Sequence, residues 1–398
     1  MNNENINRQS YINQLDKYRN IQLVKILSGI RRCGKSTLLE MYKQHLLRNG
    51  IPSSHIIHRN YSAIQYEDWT AKQMFDDIMS GMHDADTHYL LLDEVQEING
   101  WERTVNTLLE TNKTDIYITG SNSRLMSSEL STYMTGRYVQ IPIYTLSFRE
   151  YRDFCGANQT RNNLFQKYLR QGGFPITAKS SFDDNSVYQI VEDIFGSVVT
   201  KDISKRHNIS NTALFDKVVR FVLENVGKNF SANSIVKFLK GQGRSINPET
   251  VYNYLDWLER AFVIYRCNRY DIQGKNVLKT QEKYYLADSS LKYALLGYNP
   301  TSAASMLENI VYLELCRRGY EVYTGKDDAR EIDFVGVRQN DKIYIQVCRQ
   351  LPENSDREIG NLKLIKDNYP KYILTLDETA VGNIDGIIIA DIREWLER

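Results

Sequence analysis

Short apolar runs alternate with helix-like segments along the first 150 residues. The apolar runs have the length of buried strands and lie at 23–28, 55–58, 88–94, 115–119 and 138–143. Between them, apolar residues recur at helical spacing in 36–48, 71–82, 101–109 and 128–135. Strands that alternate with helices in this way predict a doubly wound α/β sheet, with its site at the carboxyl ends of the strands.

The pattern changes after residue 150. Residues 151–204 read as helices broken at Gly172-Gly173-Phe174-Pro175, which indicates a helical linker or lid. Helical patterns then cover 215–226, 234–239 and 248–260, and extended segments cover 263–267 and 283–286. The last part predicts helices at 306–318 and 356–368, with strands at 321–323, 332–337, 342–347, 372–375 and 386–389. We therefore divide the chain into domains 1–150, 151–204, 205–290 and 291–398.

A glycine-rich segment joins the first strand to the first long helix. Residues 29–36, GIRRCGKS, match G-x-x-x-x-G-K-[ST] at every fixed position. Its backbone N–H groups would surround nucleotide phosphates at a helix N-terminus, with Lys35 at the β- and γ-phosphates and the Ser36 hydroxyl on Mg²⁺. The predicted nucleotide-contacting residues are Gly29, Ile30, Arg31, Arg32, Cys33, Gly34, Lys35, Ser36 and Thr37.

Two acids end the strand at 88–94. Asp93 would hold Mg²⁺ together with Ser36, and Glu94 would orient and deprotonate the attacking water. The strand at 115–119 runs into Gly120-Ser121-Asn122-Ser123, so a polar side chain at its tip would sit between the two acids. Asn112-Lys113-Thr114-Asp115 matches the N-K-x-D motif of GTPases, but it precedes its strand and so lies at the wrong end of the sheet. ATP is therefore favoured over GTP.

Composition bounds the class of protein. Hydrophobic residues make up 42% and charged residues 25%, as in soluble globular proteins. We expect a cytoplasmic protein without a membrane segment, because the start MNNENINRQS is polar and no apolar run reaches membrane-spanning length. The 5 cysteines form no C-x-x-C pair. Residues 205–285 carry 14 basic and 7 acidic residues, which suggests a polyanionic partner such as DNA.

The motifs carry a resemblance to a known family. GIRRCGKSTLL, YLLLDEVQEINGWE, ITGSNSRLMSSELSTYMTGR and YVQIPIYTLSFREY resemble an AAA-type ATPase of the bacterial and archaeal group with a C-terminal domain of unknown function 4143. The resemblance implies the roles given above for Lys35, Ser36, Asp93 and Glu94. It also implies that Ser121, with Asn122, is a sensor of the attacking water or the γ-phosphate, and that Arg137 is an arginine finger that reaches a neighbouring subunit. The alternative for Arg137 is a surface salt bridge.

Two further resemblances concern the later regions. The helices and extended segments of 205–290 resemble a winged-helix domain, a common DNA reader. Acidic Glu249, Asp256 and Glu259 on its third helix argue against DNA, so a structural role stays open. Residues 291–398 resemble the restriction-endonuclease fold, whose metal site uses a helical acid, a strand acid and E-x-K.

The metal-ligand pattern of that last region is incomplete. Glu308 and Asp333 fit the two acids, but Gln346-Val347-Cys348 replaces the E-x-K sequence, so we expect no nuclease activity. The sequence thus predicts an Mg²⁺-dependent ATPase that rearranges an unknown protein partner, within an oligomer or at DNA. The alternatives are a nucleotide-gated DNA-binding regulator with little turnover and an ATP-controlled nuclease.

Overall fold

The computed structural model describes most of the 398-residue chain. The described residues are 8–111, 113–121, 134, 136–156, 159–178, 182–207, 209, 211–272, 274, 276–327, 330–351 and 356–398. They form two compact units. The first contains residues up to Ile143 together with 260–262, and the second contains 144–259 and 263–398.

The first unit contains five parallel strands and four helices among its described residues. In chain order they are α1 (Gln9–Lys17), β1 (Val24–Ser28), α2 (Lys35–Arg48), β2 (Ile56–Asn60), α3 (Ala71–Ser80), β3 (His88–Asp93), α4 (Trp101–Glu110), β4 (Thr114–Gly120) and β5 (Tyr138–Pro142). The strand order is β2-β3-β4-β1-β5. All the described strands pair in parallel, so their carboxyl ends share one edge of the sheet.

Burial and capping explain these elements. Every residue of β1, β3 and β4 is buried, because helices cover both faces of a parallel sheet. Helix α3 begins with a capping box. The Thr70 hydroxyl accepts a hydrogen bond from the Gln73 backbone N–H, and the Gln73 side chain accepts one from the Thr70 backbone N–H. Its apolar face, with Met74 and Ile78, packs into the same core as Leu90 and Leu92 of β3. The helix expected at 128–135 lies almost wholly outside the described residues.

The second unit begins with helices. They are α5 (Phe148–Cys155), α6 (Arg161–Gln171), α7 (Pro175–Ala178), α8 (Asp184–Ser197), α9 (Thr212–Glu224), α10 (Ala232–Gly241) and α11 (Pro248–Arg260). A π-helical segment, Val198–Ser204, continues α8. The three helices expected at 215–226, 234–239 and 248–260 correspond to α9, α10 and α11.

Strands and further helices complete the second unit. They are β6 (Ile264–Asp271), β7 (Asn276–Leu286), α12 (Ser290–Leu296), α13 (Ala303–Arg317), β8 (Glu321–Asp327), β9 (Arg330–Arg338), β10 (Asp341–Cys348), α14 (Asp356–Lys363), β11 (Lys371–Thr375), β12 (Gly382–Ile384), β13 (Ile387–Asp391) and α15 (Ile392–Glu397). The strands form one mixed sheet in the order β12-β13-β11-β10-β9-β8-β6-β7.

The β6–β7 hairpin is longer than the two expected extended segments. Beyond Cys267 the ladder of β6 and β7 shifts register, and Arg269 of β6 then pairs in parallel with Thr324 of β8. The hairpin therefore belongs to the same sheet as the C-terminal strands. Polar residues such as Arg266 and Asn268 lie half-buried along β6. Because a run of apolar residues was the signal used to predict strands, the full length of β6 was not predicted. The boundaries at 204 and 290 stay predictions.

Candidate nucleotide site and a second charged cluster

The glycine-rich loop lies between the buried strand β1 and helix α2. A Cβ atom on Gly29 would lie 2.1 Å from the carbonyl oxygen of Ile143, so only glycine fits where the loop leaves the strand. Gly34 caps α2 with a φ of 104°, a left-handed conformation that also favours glycine. The loop therefore turns sharply at both ends and directs the N-terminus of α2 toward the carboxyl edge of the sheet.

Lys35 points back into the loop from the first turn of α2. Its side chain is buried, and Nζ donates hydrogen bonds to the carbonyl oxygens of Gly29 (2.8 Å) and Ile30 (3.1 Å). Ser36 and Thr37 follow on the same turn and are exposed. An ammonium group and a hydroxyl group thus flank the helix N-terminus, as a phosphate–Mg²⁺ ligand requires.

The middle of the loop is held from two directions. Ile30 and Cys33 are buried, and Nη1 of Arg8 donates a hydrogen bond to the Cys33 carbonyl at 3.1 Å. Arg32 is exposed and has a φ of 68°. Nη2 of Arg31 lies 3.3 Å from Oγ of Ser121, just beyond β4, which links the loop to a neighbouring strand tip.

The two acids lie at the same edge of the sheet. Asp93 is 1% exposed at the end of β3, and its carboxylate accepts a hydrogen bond from the Thr119 hydroxyl. Oγ1 of Thr119 also accepts a hydrogen bond of 3.0 Å from the backbone N–H of Glu94. Glu94 has a φ of 53°, a strained conformation for a residue with a Cβ, and its carboxylate accepts from Gln96 Nε2. Thr119 therefore connects both acids.

The polar residue at the tip of β4 that contacts both acids is Thr119, and the sensor roles implied for Ser121 and Asn122 stay predictions. The parallel register places Leu92 beside Ile118, so Thr119 follows next to Asp93. Ser121 is buried two residues further on, against Arg31, and Asn122 lies outside the described residues. The sequence signal for this role is a threonine at the second-last position of an apolar strand. That signal is weak, because threonine is also a common β-branched residue within strands.

Arg137 lies at the other edge of the sheet. It directly precedes β5, whose first residue, Tyr138, pairs with Val24 at the start of β1. Nη2 of Arg137 donates to Asn106 Oδ1 at 2.7 Å and lies 3.3 Å from Glu110 Oε1, both on α4. The length of β1 therefore separates Arg137 from the glycine-rich loop of its own chain.

Asp115 of the N-K-x-D match also lies at that opposite edge. Its carboxylate is buried at the second position of β4 and forms an ion pair with Lys25. It also accepts hydrogen bonds from the Tyr117 hydroxyl (3.0 Å) and the Asn20 backbone N–H (2.9 Å). A carboxylate held in this way is not available to a guanine base.

The second unit contains a charged cluster around a buried lysine. Lys283 of β7 is buried, and its Nζ lies 2.7 Å from Glu331 Oε1 of β9. Burial, followed by the charge of Asp333, raises the pKa of Glu308 on α13 to about 8. Burial is the largest single influence on the pKa of Lys283 and lowers it, but the charges of Glu308, Asp333 and Glu331 together outweigh burial and raise that pKa. Helix α13 and strand β9 thus bring the two expected acids, Glu308 and Asp333, close enough to interact.

Gln346 and Cys348 occupy the positions of the missing E-x-K residues. Oε1 of Gln346 accepts a hydrogen bond from the Asp333 backbone N–H at 3.2 Å, and Asp333 Oδ2 accepts one from the Val347 N–H at 2.8 Å. Cys348 is half-buried against the apolar cluster of this sheet. The cation of the cluster is Lys283, which comes from β7, a strand that the sequence pattern did not connect to this site.

The basic middle region has a different surface from the one expected. Arg266, expected on a basic flank, forms an ion pair of 2.9 Å with Glu259, expected on an exposed acidic face. Each therefore neutralises the other. Exposed basic residues lie instead on α10 and the turn after it: Lys237, Lys240 and Arg244. In the part of the chain that the structure describes, no helix is long and apolar enough to cross a membrane.

Comparisons with known proteins agree with this geometry. Residues 22–152 match a family described as "AAA domain", and residues 162–302 match a "Domain of unknown function (DUF8612)". An uncharacterized protein of Haemophilus influenzae is 37% identical over 396 residues, which cover 98% of each chain. The chain belongs to the family of that protein. The archaeal protein MJ1544 of Methanocaldococcus jannaschii is 29% identical over 362 residues, covering 86% of this chain and 79% of the relative.

A solved structure supports the fold of this family. The Walker-type ATPase PABY2304 of Pyrococcus abyssi superposes with a TM-score of 0.51 at 14% identity, covering 73% of this chain and 96% of the other. Residues 22–152 thus form an AAA-type domain of α/β fold, which contains the glycine-rich loop at 29–36. The family matched at residues 162–302 is DUF8612, and this finding corrects the sequence resemblance, which had named domain 4143.

Proposed function

We propose that the protein is an Mg²⁺-dependent ATP hydrolase whose turnover rearranges a bound partner. The observation that carries the proposal is the triad formed by Asp93, Thr119 and Glu94 at the sheet edge where the Lys35 loop also ends. A buried acid, a polar residue that orients it and a second acid directly after it are the groups that ATP hydrolysis needs beside a phosphate-binding loop.

Each side chain has a role that follows from its place. Lys35 neutralises charge on the β- and γ-phosphates. Ser36 and Asp93 supply hydroxyl and carboxylate oxygens, the hard donors that suit Mg²⁺, and bound Mg²⁺ would withdraw charge from the phosphate oxygens. Glu94 takes the proton of the attacking water, while Thr119 fixes the backbone that presents Glu94. Ser121 accepts a hydrogen bond from Arg31 of the loop, so a change in the loop conformation would be transmitted to the end of β4.

Arg137 acts on the nucleotide of a second copy of the chain. β5 runs five residues from the Arg137 end to the loop end, which is roughly 16 Å along the sheet. An arginine side chain cannot span that distance to its own phosphates. Its present partners, Asn106 and Glu110, hold it at the surface of α4, where a neighbouring subunit can receive it. The active form is therefore a homo-oligomer.

DNA is the polyanionic partner that best fits residues 205–285. Three helices, a short bridge between Phe230 and Glu282, and the β6–β7 hairpin follow one another as in a winged-helix domain. The exposed Lys237, Lys240 and Arg244 provide positive charge on one helix and the turn after it. The ion pair with Arg266 neutralises Glu259, one of the acidic residues whose charge argued against binding to DNA phosphates.

The restriction-endonuclease-like part is a relic without cleavage activity. Lys283 supplies a fixed positive charge among Glu308, Glu331 and Asp333, where a nuclease would need a divalent ion. Gln346 contributes a neutral amide that is already engaged by the Asp333 backbone. This lysine neutralises the acids and fastens β7 to β9, so the cluster stabilises the sheet.

Steady-state ATPase assays test the main proposal. The wild type should release phosphate only with Mg²⁺, and Lys35→Ala should abolish nucleotide binding. Lys43→Ala is the matched control, because Lys43 lies on the same helix with a partly exposed side chain that pairs only weakly with Glu40 (3.8 Å). Wild-type turnover in Lys35→Ala would refute the site. Nucleotide-dependent DNA binding without turnover would favour the alternative, a DNA-binding regulator.

A further inference from the structure

Four metal-binding side chains meet at the amino edge of the first sheet, away from the nucleotide site. His55 directly precedes β2, Asp84 and Asp86 lie in the loop between α3 and β3, and His88 is the first residue of β3. The parallel register places Ile56 beside Tyr89, so the two histidines are neighbours across the ladder. Their ring centroids are 5.1 Å apart.

The donor atoms of these residues converge. Nε2 of His55 lies 2.9 Å from Asp84 Oδ2. One donor atom each from His55, Asp84 and Asp86 lie within 4.8 Å of one another. Nε2 of His88 lies 4.0 Å from Asp84 Oδ1. Asp84 therefore stands between the two imidazoles.

His88 shows that this cluster is more than a group of surface acids. Its side chain is 1% exposed, and its buried Nε2 atom has no hydrogen-bond partner among the residues that the structure describes. Nδ1 lies 3.0 Å from the backbone carbonyl oxygen of Asp86, which can only accept, so Nδ1 carries the proton. Nε2 then presents a lone pair toward the carboxylate of Asp84.

Nε2 of His88 and the Asp84 carboxylate are two electron-rich groups that face each other, and a cation between them would give the buried Nε2 the partner that it lacks among the described residues. The separation of 4.0 Å between Nε2 and Asp84 Oδ1 is too long for a direct hydrogen bond and leaves room for an ion between them. The hydrogen bond from Nδ1 to a backbone carbonyl is also the contact that orients metal-ligating histidines and fixes their tautomer.

We infer that His55, Asp84, Asp86 and His88 form a binding site for a divalent transition metal, with Zn²⁺ as the preferred ion. Two imidazole nitrogens select zinc over Mg²⁺, which takes oxygen ligands. In a tetrahedral zinc site, ligand bonds of about 2.1 Å place donor atoms roughly 3.4 Å apart. The separations of 2.9 and 4.0 Å bracket that value.

The metal has a structural role in this arrangement. It joins the loop between α3 and β3 to the start of β2, and so fixes two neighbouring strands at their amino ends. β3 extends over six residues from His88 to Asp93, which is roughly 17 Å. The zinc site therefore shares no ligand with the nucleotide site, and the inference stands whether or not the protein hydrolyses ATP.

Zinc titration of the full chain tests the inference. Protein stripped with a chelator, in the absence of nucleotide, is titrated with Zn²⁺ against a chromogenic competitor. We expect one zinc ion per chain, and we expect His55→Ala and Asp84→Asn each to weaken binding by about 10- to 100-fold or more, since loss of an outer partner of a metal ligand already costs that much. Asp84 is exposed, so its change preserves the fold. His83→Ala, an exposed histidine in the same loop, is the matched control and should bind like the wild type.

A second readout separates specific binding from adventitious binding. Zinc should raise the melting temperature of the wild type and of Lys35→Ala, but not that of Asp84→Asn. Absence of stoichiometric zinc in the wild type would overturn the site. So would equal affinity and equal thermal shift in wild type and Asp84→Asn, or a loss of affinity in His83→Ala.

Discussion

Replacing Thr119 by valine should separate hydrolysis from nucleotide binding. Valine keeps the shape of the buried side chain but removes the hydroxyl that donates to Asp93 and accepts from the Glu94 N–H. A hydrogen bond to a charged group contributes about 1.5–3 kcal/mol, and a buried N–H left without a partner costs about 1–3 kcal/mol. We therefore expect roughly 2.5–6 kcal/mol less support for the conformation of Glu94.

That loss falls on a residue already in a strained conformation. Glu94 has a φ of 53°, and without its anchor the backbone can relax and withdraw the carboxylate from the attacking water. At about 1.4 kcal/mol per factor of ten, kcat should fall by roughly 60-fold or more. Nucleotide affinity should change little, since the phosphates contact the loop between β1 and α2.

The assay combines steady-state kinetics with equilibrium binding of ATP. Thr119→Ser is the matched control, because it keeps the hydroxyl and should stay within a few-fold of wild-type kcat. Thermal unfolding verifies that each variant folds. Wild-type kcat in Thr119→Val would refute the positioning role. Loss of nucleotide binding by that variant would show that Thr119 supports the fold of the whole site instead.

Three further outcomes follow from the charged groups. If Arg137 acts in trans, specific activity should rise with protein concentration, and mixed Arg137→Ala and Glu94→Gln subunits should recover activity; concentration-independent rates would contradict this. Burial raises the pKa of Glu308 to about 8, so between pH 5 and 8 the folded protein holds a proton that unfolding releases, and stability should fall as pH rises. Glu308→Gln should flatten that slope in melting temperature. The wild type should not cut DNA with Mg²⁺ or Mn²⁺, and cleavage abolished by Asp333→Ala would contradict the inactive cluster.

The sequence predicted those parts of the fold that local pattern determines. β1, β3 and β4 are apolar throughout because both faces of a parallel sheet are buried, and the glycine-rich loop between β1 and α2 has a fixed spacing. Helix α14 ended earlier than expected, at Lys363, and the chain soon reaches Pro370, before which helical backbone is disfavoured.

The rest depended on contacts between distant residues. The pairing of Lys283 with Glu331 requires β7 and β9 to share one sheet, and β6 joins that sheet through Arg269 and Thr324. Neither pairing leaves a periodic signal in the sequence. Thr119 was missed for the same reason, because its importance comes from its register beside Asp93 on a neighbouring strand.

The most direct test of the account measures bound nucleotide and turnover together in Glu94→Gln. The amide keeps the size of the side chain and removes the base, so the variant should retain ATP while its hydrolysis rate falls by about 100-fold or more. Glu97→Gln, an exposed acid in the adjoining turn, should behave like the wild type. Equal hydrolysis by wild type and Glu94→Gln would contradict the assignment of Glu94 as the catalytic base.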